Sequence, residues 1–269
     1  MDGLYLYCLR EKTKDSPGIS VKGIDETGEV FVFPYRQLEA VVSRVCLDEF
    51  GSEEIQEKAR GDLNWIKEKS IVHERVIEES MTNNGKVLSV IPMRFGTIFE
   101  EKAQLEESLS KHYPRIREVL NKIRDKQEWS IKVYLTDRGK FERAVKEKNE
   151  AIKEKEKELA SLPEGMAFFM EEELKQIIVK ESDEELSDIV DSVFGRLTAQ
   201  AAASVKNKLL AKELTGKRGI MVLNSAYLVS EERIESFKQE IEELQEQACA
   251  KGFALEYSGP WPAFNFTSF

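Results

Sequence analysis

Residues 87–99 read Val-Leu-Ser-Val-Ile-Pro-Met-Arg-Phe-Gly-Thr-Ile-Phe, and the rest of the chain organises itself around them. The β-branched residues Val87, Val90 and Ile91 fit a buried strand, and Pro92, which cannot donate to a sheet ladder, ends it. Met93 to Gly96 turn the chain. Thr97 followed by Glu100 has the form of a capping box, in which hydroxyl and carboxylate each take an orphan amide, so a helix is expected to start there. Arg94 sits between apolar neighbours, where a guanidinium is costly unless carboxylates or carbonyls surround it. It is therefore expected to be partnered. Either it is an internal strut tying strand to helix, or Arg94 and its neighbour Phe95 contact another protein.

Upstream, Leu4 to Leu9 (Leu-Tyr-Leu-Tyr-Cys-Leu) is aromatic and aliphatic enough for a central strand, and Arg10 to Ser20 is a charged loop with a turn at Ser16-Pro17-Gly18. Val21 to Ile24, Val30 to Phe33 and Leu38 to Val45 read as antiparallel strands. Between Asp62 and Met81, Trp65, Ile66, Val72, Val76 and Ile77 fall on one broad helical face. His73 lies beside that face and reads as a hydrogen-bonded packing residue, since no second or third metal ligand is near it in sequence. Asn83-Asn84-Gly85 ends the helix.

Downstream, Leu105, Leu109, Ile116, Leu120 and Ile123 keep helical spacing, with a break expected near Tyr113 because Pro114 removes a helix hydrogen bond. Trp129 to Leu135 alternates as a strand with one wet face. Phe141 to Leu159 is dense in Lys and Glu with a sparse seam of Val145, Ile152 and Leu159, the pattern of an exposed helix or one arm of a helical hairpin. After the Leu162-Pro163-Glu164-Gly165 breaker, two helical stripes run from Met166 to Ile178 and from Leu186 to Leu197, and the alanines of Thr198 to Ser204 suit close helix packing. Phe168 and Phe169 are core residues at this spacing, or else they cradle an apolar partner.

Lys208 to Leu214 and Gly219 to Val229 read as a hairpin turning at Thr215 to Arg218, Ser230 caps a helix lined by Ile234, Phe237, Ile241, Leu244 and Ala248, and Phe253 to Tyr257 is the last strand. The ending Ser258-Gly259-Pro260-Trp261-Pro262-Ala263-Phe264-Asn265-Phe266 is aromatic and proline-stiffened. Trp261, Phe264 and Phe266 either pack over the sheet or dock another protein. The pattern predicts an α+β protein of two modified ferredoxin-like domains, residues 1–127 and 128–269. The second carries a long-helix or coiled-coil excursion at about 138–206 and the aromatic tail.

A chain of 269 residues with 41% hydrophobic content can build either one large core or two ordinary ones. A net charge of −10 argues against nucleic acid and against anionic membrane surfaces, both of which need a basic face. The start, Met1-Asp2-Gly3-Leu4, reads as a strand rather than a signal peptide, and no run is long and apolar enough to span a bilayer. Cys8, Cys46 and Cys249 are odd in number and far apart, as expected of reduced cytoplasmic thiols that serve as small core residues. The sequence offers two histidines, His73 and His112, no nucleophile motif with its base, no phosphate loop and no closely spaced ligand set. It therefore points away from catalysis, and neither cofactor nor metal is expected.

Three separated stretches, Pro92-Met93-Arg94-Phe95-Gly96-Thr97, Leu223-Asn224-Ser225-Ala226-Tyr227-Leu228-Val229 and Gly259-Pro260-Trp261-Pro262, resemble in order and spacing the gas vesicle accessory proteins of the F/L type. The likeness covers nearly the whole chain, and His73 falls where that family tends to carry a histidine. Leu162 to Met170 departs from it, lacking the Gly-Arg-rich entry of many members. The resemblance implies a non-enzymatic accessory or minor structural protein of the gas vesicle, located there and in the cytoplasm. It also implies binding to the small hydrophobic shell subunit (GvpA) and a role in keeping it from aggregating until assembly nucleates. A general scaffold joining several accessory proteins, and a small-molecule enzyme using a ferredoxin-like cleft, are the rival readings.

Overall fold

The computed structural model describes residues 2–13, 18–83 and 85–267. The chain divides into two compact units, Met1–Glu128 with Pro260–Phe269, and Trp129–Gly259.

The first unit runs β1 (Asp2–Glu11), β2 (Val30–Tyr35), β3 (Leu38–Cys46), α1 (Leu47–Phe50), α2 (Ser52–Gly61), α3 (Leu63–Ser80), β4 (Thr82–Asn83), β5 (Lys86–Val87), β6 (Val90–Pro92), β7 (Ile98–Phe99) and α4 (Lys102–Ile123). Its five-stranded sheet has the order β2-β3-β1-β6, with β7 also on β1. Residues 3–10 of β1 are buried without interruption, because helices cover both sheet faces. Phe33 and Tyr35 meet Lys102 and Tyr113 of α4, whereas Val30, in the opposite phase of the pleat, belongs to the cluster with Val76 and Ile77 of α3.

The decisive stretch flanks β1 on both sides of its turn. Pro92 pairs with Cys8 and Ile91 with Leu9, while Ile98 pairs with Tyr5 and Phe99 with Leu4. Between them Met93 N–H donates to the Tyr7 carbonyl at 2.8 Å and Leu6 N–H to the Thr97 carbonyl at 2.8 Å. The capping box therefore does not form. Ile98 and Phe99 enter the sheet, the Thr97 hydroxyl closes the turn by donating to the Arg94 carbonyl at 2.7 Å, and α4 starts at Lys102 without a side-chain cap. Gly96 sits at φ +80°, where a side chain would strain the backbone.

The second unit begins within β8 (Lys126–Leu135) and continues through α5 (Arg138–Lys148), α6 (Glu150–Ala160), α7 (Glu164–Thr198), β9 (Ala203–Lys206), α8 (Lys212–Thr215), β10 (Ile220–Ser230), a 3-10 turn (Glu231–Arg233), α9 (Ile234–Ala250) and β11 (Phe253–Trp261). Its sheet has the order β11-β8-β10-β9. Trp129, Ile131 and Val133 of β8, Leu223 and Tyr227 of β10, Phe237 and Ile241 of α9, and Val193 and Leu197 of α7 make its core. Gly219 lets the chain pass close to β8, since a Cβ there would lie 2.8 Å from the Leu135 carbonyl oxygen.

Several expectations give way. Helix α4 is continuous through Pro114. The charged run from 138 to 160 is two helices separated by Asn149, whose side chain accepts from the N–H groups of Ala151 and Ile152. The two stripes after Pro163 belong to one helix of 35 residues. β10 pairs with β9, in a register that sets Ser225 against Lys206; the alanine-rich stretch thus leads into a strand, and 208–214 is not one. Ser230 ends β10 and makes no side-chain cap. Residues 21–24 contribute only an isolated bridge from Lys22 to Glu29, and Ser16 and Pro17 lie outside the described residues. Cys8 is buried, but Cys46 and Cys249 are exposed. The aromatic tail packs with the first unit rather than with the second half of the chain.

Candidate interaction site

The alternation of β1 aims Tyr5 and Tyr7 at α3, and a buried phenol must find partners. Tyr5 finds two. Its hydroxyl accepts from Gly96 N–H at 3.0 Å and lies 3.0 Å from Nδ1 of His73. The other ring nitrogen of His73 is 3.1 Å from the Met93 carbonyl, which can only accept. Nε2 therefore carries the proton, and Nδ1 accepts from Tyr5. Burial lowers the imidazole pKa to about 4, outweighing the Met93 bond, and raises that of the Tyr5 phenol. Tyr7 repeats the arrangement: Ile24 N–H donates to its hydroxyl at 2.7 Å, which lies 2.7 Å from Ser43 Oγ, and burial pushes its pKa up to about 12. The hydroxyls of Tyr5 and Tyr7 thus link β1, β3, α3, the 18–29 loop and the 93–97 turn.

The seven residues proposed from sequence fall into three groups. Arg94 and Phe95 share the turn, but differently from expectation. Arg94 is exposed, and its guanidinium makes no ion pair among the described residues, so it is no internal strut. Phe95 is half-buried, its ring edge-on to Tyr5, Trp65 and His73 at 6.3, 6.3 and 5.8 Å. It completes the aromatic packing.

Phe168 and Phe169 open α7 with 66% and 77% of their surfaces exposed, the rings edge to face at 5.9 Å. Below them Ile152, Leu174 and Ile178 form a small core with Leu159 and Ile177. This helical layer is laced outside by Lys155 to Glu173 at 2.7 Å and Asn149 to Glu181 at 2.7 Å. A shallow depression of about 680 Å³ lies along α7, lined by Lys175, Val179, Asp183 and their neighbours on that helix alone.

The third group is the tail. Trp261 and Phe264 are 37% and 43% exposed, while Phe266 is buried, with Lys122 Nζ 5.9 Å from its ring centroid. Glu128, only 4% exposed, accepts from Asn265 N–H at 3.0 Å and from Asn265 Nδ2 at 2.6 Å. Burial raises the Glu128 pKa against the effect of those bonds. Sequence reading missed this contact and the one between Tyr5 and His73. The signal for the second was His73 itself, read as a hydrogen-bonded packing residue, which it is, although its partner could not be named.

His73 is engaged at both nitrogens, and His112 Nδ1 lies 2.9 Å from the Ser108 carbonyl. Among the described residues no cluster of three or more His, Cys, Asp or Glu could hold a metal ion, and no helix is long and apolar enough to cross a membrane.

The chain matches a family model described as gas vesicle synthesis protein GvpL/GvpF over residues 3–268. Gas vesicle protein L of a Streptomyces strain is 25% identical over 207 residues, covering 76% of this chain and 71% of that protein. Gas vesicle protein L2 of Halobacterium salinarum is 24% identical over 272 residues, covering 98% and 91%. In fold the chain is similar to the crystal structure of GvpF from Anabaena sp. PCC7120, with a TM-score of 0.75 at 17% identity over 100% of this chain and 99% of that one. GvpF from Microcystis aeruginosa gives a TM-score of 0.68 at 20% identity, covering 99% of both chains. With the model spanning almost every residue, this chain belongs to the GvpL/GvpF family of gas vesicle proteins.

Proposed function

We propose that this chain is a non-enzymatic accessory protein of the gas vesicle that binds the small hydrophobic shell subunit and limits its aggregation while assembly nucleates. In this reading it works in the cytoplasm and at the vesicle. It is built from two α+β domains, residues 1–128 with 260–269 and residues 129–259, the second of modified ferredoxin-like type and carrying the α5–α7 excursion. The observation that carries the proposal is the Phe168–Phe169 pair. Two adjacent aromatic side chains left mostly in water on a helical layer gain little from the chain itself beyond their mutual contact, and an apolar partner would bury them. The acidic excess, −10 overall, keeps such a surface soluble before the partner arrives.

The test is co-purification of the shell subunit with the full chain and with a Phe168→Ser, Phe169→Ser double variant. Both positions are exposed, so folding should be unchanged and capture should fall at least tenfold. Undiminished capture would remove the proposed surface. A scaffold joining several accessory proteins is the second reading. It is favoured by Trp261 and Phe264, exposed in the first unit while the Phe168–Phe169 pair belongs to the second. It predicts capture of soluble accessory proteins that survives the double substitution.

A further inference from the structure

The first unit is discontinuous: its last ten residues, Pro260–Phe269, reach it only after the chain has built Trp129–Gly259. Asn265 and Phe266 of that segment lie against Glu128 and α4, which form its seat. Glu128 addresses Asn265 with both oxygens, one taking the backbone N–H at 3.0 Å and the other the side-chain amide at 2.6 Å, a pairing that selects a residue carrying both donors. Lys122 Nζ donates to the Phe266 carbonyl at 3.3 Å and lies 5.9 Å from the centre of its ring. Ala263 and Phe266 are buried, and the Thr267 hydroxyl donates to the Ala263 carbonyl at 2.7 Å, holding the segment in the turn the seat accepts. Arg115, Glu118 and Val119 of α4 line the remaining depression beside Asn265 and Phe266.

We propose that this seat is a peptide-recognition site for the segment Pro-Ala-Phe-Asn-Phe-Thr, and that the same segment of a second copy of this chain can occupy it. The occupant is covalently joined to its seat only through the second unit, so supplying it from another copy breaks no other element of the first unit. In a single molecule the resident segment competes at the high effective concentration of a tethered ligand.

The experiment titrates a fluorescent peptide of residues 258–269 with full-length protein and follows amide exchange of the resident segment. Asn265→Ala removes the amide contact from the resident segment but leaves the seat whole. It should release the segment and raise affinity for the added peptide by about ten- to a hundredfold. Adding Glu128→Ala to Asn265→Ala should abolish that gain, and a peptide with Ala in place of Asn should bind about ten- to a hundredfold more weakly than the native peptide. The proposal is overturned if the resident segment exchanges no faster in Asn265→Ala, if the released seat ignores the peptide, or if a scrambled peptide or the Glu128→Ala double variant binds equally well.

Discussion

The Tyr5 hydroxyl and Nδ1 of His73 lie 3.0 Å apart in a buried contact between residues 68 positions distant in sequence. Gly96 N–H donates to the same hydroxyl, so the contact joins the central strand, the α3 helix and the turn. Tyr5→Phe keeps the ring and removes the hydroxyl, leaving a buried imidazole nitrogen and an amide without their partner. Stability should fall by about 1–3 kcal/mol, the usual cost of orphaning buried polar groups. Urea unfolding of the variant against wild type measures it, and an unchanged midpoint would mean water replaces the hydroxyl.

The neutral state of His73 predicts a pH dependence. Its folded pKa is about 4 against 6.5 when free. Between those values the unfolded chain binds more protons than the folded one, so this residue's contribution is complete above pH 6.5 and is lost as pH falls toward 4. The pKa difference corresponds to about 3 kcal/mol. Glu128, raised by burial, acts in the opposite sense at acid pH, so the measurement is a difference. His73→Gln should flatten the slope of stability against pH between 6.5 and 4 relative to wild type. An identical slope in both proteins would assign the acid sensitivity elsewhere.

Much of the architecture was legible because burial writes itself into pattern. The apolar strand at Leu4 to Leu9, the stripe from Trp65 to Ile77 and the alternation from Trp129 to Leu135 each became the element expected. The failures came where a local signal competed with a distant partner. Thr97 and Glu100 make a good capping box in isolation, but Ile98 and Phe99 gain a ladder on β1 that sequence proximity does not reveal. Pro114 forfeits one helix bond, while Leu109, Ile116 and Leu120 on either side are all buried, and that burial keeps α4 whole. Of the candidate site residues, exposure was legible only in part: Phe266 is buried, as the packing reading of the tail had it, whereas Arg94 among apolar neighbours and Phe168 and Phe169 at core spacing are exposed.

The Arg10–Glu39 pair supplies a third prediction. Arg10 Nε donates to Glu39 Oε2 at 2.9 Å and Nη1 to the Ser80 carbonyl at 2.9 Å, with both side chains almost fully enclosed. Removing one partner strands the other's charge, so Arg10→Met should cost about 3–5 kcal/mol. The double variant Arg10→Met, Glu39→Leu should recover most of that loss, because two apolar side chains in a buried position carry no desolvation penalty. Chemical denaturation of the three proteins closes the cycle; a double variant as unstable as Arg10→Met alone would show that Arg10's bond to the Ser80 carbonyl outweighs its pairing with Glu39.

Ile152 is fully buried in a cluster separate from the sheet's core, meeting Leu174 and Ile178 with Leu159 and Ile177 partly covering them. The first half of α7 depends on this cluster, while its second half is held by Val193 and Leu197 in the main core of the unit. Ile152→Ala should therefore cost about 2 kcal/mol, the lower end for such a truncation because a small cluster can collapse around the cavity. The loss should be local. Hydrogen exchange should quicken through α6 and the first half of α7 and stay unchanged in β8 and β10. If protection falls evenly across the unit instead, the α5–α7 layer and the sheet unfold as one body, and the Phe168–Phe169 pair rests on the same cooperative core as the strands.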